Sequence, residues 1–248
     1  MLCSPINRRG FLLRAAAFTT VASAGAAARA NPTAPSATVT LGVIGNGGRA
    51  TQMLPVFLSQ PGTRVLAVCD AVRERRERAK ATVDAFYGNS DCKAYRDFRD
   101  LLARSDIDAL YIATGDRWHA RLAIYAMQAG KDVYCEKPIS LSIHEGDAVV
   151  KAAARYRRVY QGGVQRRTVG NFMTAMSLAK SGRLGRLHTL HAGMAGMGRS
   201  AANHFLPEEA LPPIDEIDWN MWLGPTPWRP YNNAYLKRWH GEYDYHGD

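Results

Sequence analysis

From residue 38 onward the chain alternates short apolar runs with longer stretches of helical spacing. Residues 38–44 (Thr-Val-Thr-Leu-Gly-Val-Ile) are β-branched and apolar, end at Gly45, and lead into a helical stretch to about Gln60. Pro61-Gly62 then marks a turn. Residues 64–69 form a second apolar run closed by Asp70, and 72–86 carry Ala79, Val83 and Phe86 at helical spacing. A third strand is predicted over 109–114, a helix over 118–129 stopped by Gly130, and a fourth strand over 132–135. Ser142-Ile143-His144-Glu145 has the form of a capping box and opens a helix with Ile143, Val150 and Ala154 at roughly helical spacing. A fifth strand is predicted over 159–164. These strands are apolar throughout rather than alternating, as strands buried on both faces are. Their alternation with helices predicts an α/β fold, a doubly wound parallel sheet of Rossmann type over 38–166.

Composition adds limits to that pattern. The 248-residue chain is 46% hydrophobic and 22% charged, which excludes a disordered, collagen-like or coiled-coil protein. No uncharged apolar stretch reaches the roughly 18–20 residues of a bilayer span. The net charge of +10 belongs partly to residues 1–30, which hold Arg8, Arg9, Arg14 and Arg29 and no acidic residue. A basic start (Asn7-Arg8-Arg9-Gly10-Phe11-Leu12-Leu13), an Ala-rich run over 15–28 and Ala28-Arg29-Ala30 together read as an export signal. The paired arginines resemble a twin-arginine (Tat) signal, which implies a periplasmic or secreted protein exported already folded. Residues 31–37 read as a linker. Cys69, Cys92 and Cys135 follow the leader, and no structural disulfide is expected among them. The remaining basic residues are scattered, so no nucleic-acid partner is expected; the densest cluster, 73–78, mixes both signs and reads as a solvated helix face.

Candidate chemistry begins at Gly45-Asn46-Gly47-Gly48-Arg49-Ala50, a G-x-G-x-x-A run. It follows a strand and opens a helix, and Asp70 closes the next strand 25 residues after Gly45, the context a dinucleotide-binding fingerprint requires. Gly45 permits the tight turn, Gly47 lets the backbone approach a pyrophosphate, and Ala50 allows close helix packing. The helix N-terminus supplies free N–H groups and partial positive charge. Asp70 is placed to accept hydrogen bonds from a ribose, which favours NAD; Arg73, about one helical turn on, softens that preference toward NADP.

Ala113-Thr114-Gly115-Asp116-Arg117-Trp118-His119 precedes the third helical stretch, and Gly130-Lys131-Asp132-Val133-Tyr134-Cys135-Glu136-Lys137-Pro138 follows it. Gln161-Gly162-Gly163-Val164-Gln165-Arg166-Arg167 and Ile217-Asp218-Trp219-Asn220-Met221-Trp222-Leu223-Gly224-Pro225 come later. Together these resemble the Gfo/Idh/MocA oxidoreductases, which carry A-T-P-x-x-x-H, E-K-P, Q-x-G-x-Q-R-R and, in exported bacterial members, D-W-x-x-W-L-G-P. The resemblance implies NAD or NADP held by Gly45, Asn46, Gly47, Gly48, Arg49, Asp70, Thr114, His119 and Glu136, and a sugar-like substrate near Lys137. A lysine at a strand's C-terminal end is placed to bond a substrate hydroxyl and stabilise the alkoxide that develops during hydride transfer. Glu136 either tunes Lys137 or holds the loop, and Pro138 restricts Lys137 to extended geometry and admits a cis peptide. Two placements of His119 are open, lining the pocket or standing in water at a helix start. Gln165 and Arg166 either contact substrate or tie two domains together. No metal ligand set is read: His188 and His191, on a strand, would point to opposite faces.

Gly115 and Arg117 depart from the pattern, standing where many relatives have Pro and His. The family's catalytic D-x-G-x-H has no counterpart, so the resemblance implies a C-terminally truncated sequence. Residues 167–248 are then the beginning of an α+β open-sheet second domain, starting with a strand over 186–195. Such a remnant is expected to be poorly packed or to leave an unpaired edge, and His246 is expected to lack a rigid seat. The resemblance also allows a homo-oligomer when the protein is full length, since relatives often assemble through that sheet. The leading function is an NAD(P)-dependent oxidoreductase acting on a sugar, polyol or related hydroxyl compound. The alternatives are an NAD-dependent glycoside hydrolase of the same superfamily and a non-catalytic truncated binding module.

Overall fold

The structure is a computed structural model that describes residues 37–191, 193 and 204–246. The leader 1–30 lies outside the described residues. Six strands form one sheet: β1 (Val39–Ile44), β2 (Thr63–Cys69), β3 (Lys93–Tyr95), β4 (Ala109–Ile112), β5 (Asp132–Glu136) and β6 (Tyr160–Gly163). All five pairings are parallel, in the order β3-β2-β1-β4-β5-β6. Helices α1 (Gly48–Leu58), α2 (Arg73–Tyr87), α3 (Phe98–Leu102), α4 (His119–Gln128) and α5 (Ile143–Tyr156) make the crossovers. The strand order reverses between β1 and β4, the switch point where doubly wound sheets bind ligands. β3 and α3 are additions to the sequence reading, three and five residues long, too short to show a period.

The apolar strands serve two layers at once. Ile44, Cys69, Leu110, Ile112 and Cys135 pack with Leu101, Leu122, Met127 and Val149 on the α3–α4–α5 side. Leu41, Val43, Val65, Val68 and Tyr111 pack with Leu54, Leu58, Ala79 and Val83 on the α1–α2 side. Cys69, Cys92 and Cys135 are free and buried. Ser142 accepts from Glu145 N at 3.2 Å while Glu145 Oε2 accepts from Leu141 N at 2.8 Å, which closes the anticipated capping box one residue further out.

Residues 164–191 and 193 form a compact unit separate from the sheet, with a 3₁₀ turn at Gln165–Thr168 and α6 (Gly170–Lys180). Residues 186–191, expected as the start of an open sheet, carry no strand, since no partner strand lies beside them among the described residues.

Residues 204–246 belong instead to the compact unit that contains the sheet. The poor packing expected of this stretch is not found. Trp219, Trp222, Leu223, Tyr231, Tyr235, Leu236 and Tyr245 form a third core that takes in Val72, the residue capping α2. Within it Trp219 and Trp222 stack at 4.7 Å between centroids, and Tyr245 meets Trp222 edge-on at 5.4 Å. Such aromatic pairs add about 0.5–1.5 kcal/mol each beyond burial. The core closes because it borrows a wall from the Rossmann unit. Val72 and Ile217 form an antiparallel bridge, with Arg73 N donating to Glu216 O at 2.8 Å and Asp218 N to Ala71 O at 3.0 Å.

α7 (Trp219–Leu223) is only five residues long and is held at both ends. Asp218 accepts from Met221 N at 3.0 Å at its start. At its end Arg117, from the loop after β4, donates to Trp222 O at 2.5 Å and Leu223 O at 3.1 Å. α8 (Tyr235–Arg238) follows. Arg229 anchors the same core, pairing Glu242 at 3.0 Å and Asp244 at 2.5 Å.

Candidate functional site

The turn between β1 and α1 is built so that backbone faces outward. Gly45 has φ +85°, and a Cβ there would lie 2.6–2.7 Å from the backbone of Ala113 and Thr114, so only glycine fits against the end of β4. Gly47 and Gly48 differ: a Cβ on either would meet nothing within 4 Å. No protein neighbour demands glycine at these two positions, and the open space above them suits a ligand that comes against the main chain. Gly47 is the N-cap of α1 and offers no side-chain cap, and the first turn holds no acidic residue. The initial N–H groups of α1 are therefore left for an anion.

Asp70 closes β2 beside this turn. Its Oδ2 accepts from Asn46 N at 2.6 Å and its Oδ1 from Val72 N at 2.9 Å, so the carboxylate ties the two loops at the crevice together. Burial pushes its carboxyl above the ordinary range, opposed by Arg75, Arg76 and the two backbone donors. Asn46 is 2% exposed; its Nδ2 donates to Cys69 O at 2.9 Å, and its buried Oδ1 has no partner in the protein. An orphaned acceptor on the residue between Gly45 and Gly47 fits a donor on a bound molecule. A turn of bare N–H groups, an open face and a carboxylate at the neighbouring strand end together match a dinucleotide.

Glu136 is 4% exposed and accepts from Arg49 Nε at 2.9 Å and Tyr111 OH at 3.0 Å. It holds Arg49 at the turn, and with burial its charge pushes the Tyr111 phenol up. Of the two roles left open for Glu136, holding the loop is the one its contacts show. His119 is 1% exposed, so the water-facing placement is excluded. Its Nδ1 lies 2.6 Å from Pro138 O and its Nε2 3.2 Å from Thr114 O. The imidazole thus joins the loop after β4 to the loop after β5, which carries Lys137. Lys137 is exposed at the end of β5, and its peptide bond to Pro138 is cis. Gln165 and Arg166 are exposed within the separate 164–193 unit, where Arg166 lies 5.2 Å from the Phe172 ring centre.

Three features were missed or misjudged in the sequence. His246 is held after all, its Nδ1 2.9 Å from Asp116 Oδ2 and its side chain 11% exposed, because the aromatic core seats Tyr245 beside it. Arg117 is 4% exposed, with its guanidinium 4.1 Å from the Trp222 ring centre and 4.8 Å from that of Tyr245. Burial presses its pKa downward, and its Nη1 has no partner. The 73–78 cluster is only partly a solvated face: Arg76 is buried, and Arg73, Arg75 and Arg76 all bond residues of the 215–236 stretch. The D-W-x-x-W-L-G-P run was the available signal for this docking. Among the described residues no group of three or more His, Cys, Asp or Glu is placed to hold a metal.

Comparison with known proteins agrees with this geometry. A family model for an oxidoreductase family with an NAD-binding Rossmann fold, Gfo/Idh/MocA, matches residues 39–164. A glycosyl hydrolase family 109 protein of Saccharopolyspora erythraea is 39% identical over 126 residues, covering 49% of this chain and 27% of that protein. A protein of the same name from Streptomyces niveus is 37% identical over 128 residues, again 49% of this chain and 25% of the relative. The match therefore spans about a quarter of the length of these curated relatives. Among solved structures, myo-inositol 2-dehydrogenase of Lactobacillus plantarum superposes with a TM-score of 0.55 at 26% identity, over 60% of this chain and 43% of that one. The scyllo-inositol dehydrogenase of Lactobacillus casei, with NAD(H) and scyllo-inositol bound, gives a TM-score of 0.55 at 25% identity, over 60% and 42%.

Proposed function

This chain belongs to the Gfo/Idh/MocA oxidoreductase family, and on that premise we propose that it binds NAD at the ends of β1 and β4 and moves hydride to or from a hydroxyl-bearing carbon of a sugar, polyol or related compound. The observation that carries the reading is the Gly45–Ala50 turn tied to Asp70, with Asn46 N 2.6 Å from the carboxylate and open space over Gly47 and Gly48. The nicotinamide, when bound, supplies the hydride acceptor or donor.

The rest falls to this chain. The N–H groups opening α1 hold the pyrophosphate, and Asp70 accepts from the adjoining ribose. Lys137, at the sheet edge where open α/β sheets bind ligands, would donate to the reacting oxygen and stabilise its charge as the hydroxyl proton passes to solvent water and the hydride to the nicotinamide. His119 positions that lysine's loop through its contact with Pro138 O.

Titration of the protein with NADH, followed by nicotinamide fluorescence, is expected to saturate; a flat titration overturns the reading. Lys137→Ala should then keep NADH binding within about twofold while turnover with a substrate sugar falls about 100-fold. Turnover at the original rate in that variant removes Lys137 from the chemistry.

A second reading is favoured by the name of the curated relatives, glycosyl hydrolase family 109. In it the same site oxidises a glycoside transiently and restores the cofactor after the bond breaks. Release of a chromogenic aglycone without net NADH formation would select it.

A further inference from the structure

Four arginines crowd the start of α2, directly after Asp70: Arg73, Arg75, Arg76 and Arg78. An arginine at this place in a Rossmann fold is what accommodates the 2′-phosphate of NADP. Here none of the four is left at the mouth of the ribose site without a partner. Arg78 donates to Asn46 O at 3.3 Å and pairs Glu74 at 3.2 Å, while Arg75 donates to Leu236 O at 3.1 Å. Arg73 and Arg76 are drawn to one residue, Asp215. Arg73 Nη2 lies 3.1 Å from Asp215 Oδ2 and its Nε donates to Asp215 O at 3.1 Å. Arg76 Nη2 donates to the same carbonyl at 2.6 Å, and Arg96 Nη1 lies 3.5 Å from Asp215 Oδ1. Asp215 is held in place by the Val72–Ile217 bridge and by Arg73 N donating to Glu216 O at 2.8 Å. A loop some 140 residues downstream thus sets a negative charge among the arginines that flank the ribose end of the crevice.

We propose that Asp215 sets the dinucleotide preference of this site. Its carboxylate and carbonyl turn Arg73 and Arg76 away from the position a 2′-phosphate would take, and its charge joins that of Asp70 in repelling one. Neutralising Asp215 breaks the ion pair at Arg73 Nη2, leaving only the Nε bond to the carbonyl, so that this exposed arginine, three residues beyond Asp70, can turn its outer nitrogens to the phosphate. The inference rests on the dinucleotide reading above.

The test is fluorescence titration of the whole chain with NADH and with NADPH, on the original protein, on Asp215→Asn, and on Asp215→Asn with Arg73→Ala. The asparagine keeps the backbone carbonyl that Arg73 Nε and Arg76 use and removes only charge. The original protein should prefer NADH. Asp215→Asn should shift the ratio of dissociation constants toward NADPH by about two- to fivefold, the scale of one exposed charge pair, and the double variant should lose that shift. An unaltered ratio in Asp215→Asn, or a shift that survives without Arg73, overturns this inference while NADH binding upholds the reading beneath it. Failure of the original protein to bind either nucleotide overturns both.

Discussion

Two sets of glycines meet at the C-terminal edge of this sheet, and they are small for opposite reasons. At Gly47 and Gly48 nothing of the protein occupies the space a side chain would take. At Gly115 that space is filled by the guanidinium of Arg117, and at Gly224 by the indole of Trp118. The first pair leaves main chain bare. The second lets the loop after β4 dock on the 218–224 stretch, where Arg117 lies over the Trp222 ring and Trp118 Nε1 donates to Met221 O at 3.0 Å. A glycine therefore points to a ligand only where the protein has not spent the vacancy on itself.

The sharpest way to break this contrast is Arg117→Ala. It removes two ring contacts and the arginine donors that end α7, leaving Trp222 O short of a partner while Leu223 O keeps Thr226 Oγ1. Urea unfolding should show a loss of about 2–4 kcal/mol. Gly115→Val should cost about 1–3 kcal/mol by overpacking, and combined with Arg117→Ala the losses should be less than additive, because one change empties the space the other fills. Additive losses would mean that the two positions do not share that space.

Gly47→Ala should do the reverse. Its backbone, at φ −75° and ψ −165°, suits any residue, so stability should change by less than about 0.5 kcal/mol. NADH affinity should fall at least about tenfold, about 1.4 kcal/mol, since the methyl group stands where the pyrophosphate must come. Undiminished NADH affinity in this variant would refute the assignment of that space to the ligand.

The smallest effect is a slope. Burial raises the Asp70 carboxyl above its ordinary value of 3.8, so between that value and its native one the folded chain keeps a proton that the unfolded chain has released. Stability contributed by this group is highest below that window and falls as pH rises through it. Asp70→Asn should flatten that part of the curve of unfolding free energy against pH; an equal slope in the variant would assign the effect to other carboxyls.

What could be read from the sequence was mostly local. The Gly45–Ala50 turn and Asp70 were legible because spacing along two adjacent strands fixes their proximity. The capping box at Ser142 was legible because its partners lie three residues apart. Arg117 and Asp215 were opaque for the opposite reason, since their contacts lie 105 and about 140 residues away in the chain. The third core has no period to detect, being aromatic residues in short turns rather than one face of a long element. His119 sat between, its position plain and its partners hidden, because both are backbone carbonyls that no side-chain pattern records.

The fit of Arg117 against Gly115 bears on how such a sequence can change over time. With the arginine seated, any side chain at 115 collides with it. With the arginine gone, the core it fills is hollow and Trp222 O goes unanswered. The two positions are coupled: a lineage moving from Pro-x-His to Gly-x-Arg in this loop must take glycine first and then arginine, and one moving back must give up the arginine before the glycine. Homologues should accordingly show glycine without arginine far more often than arginine without glycine.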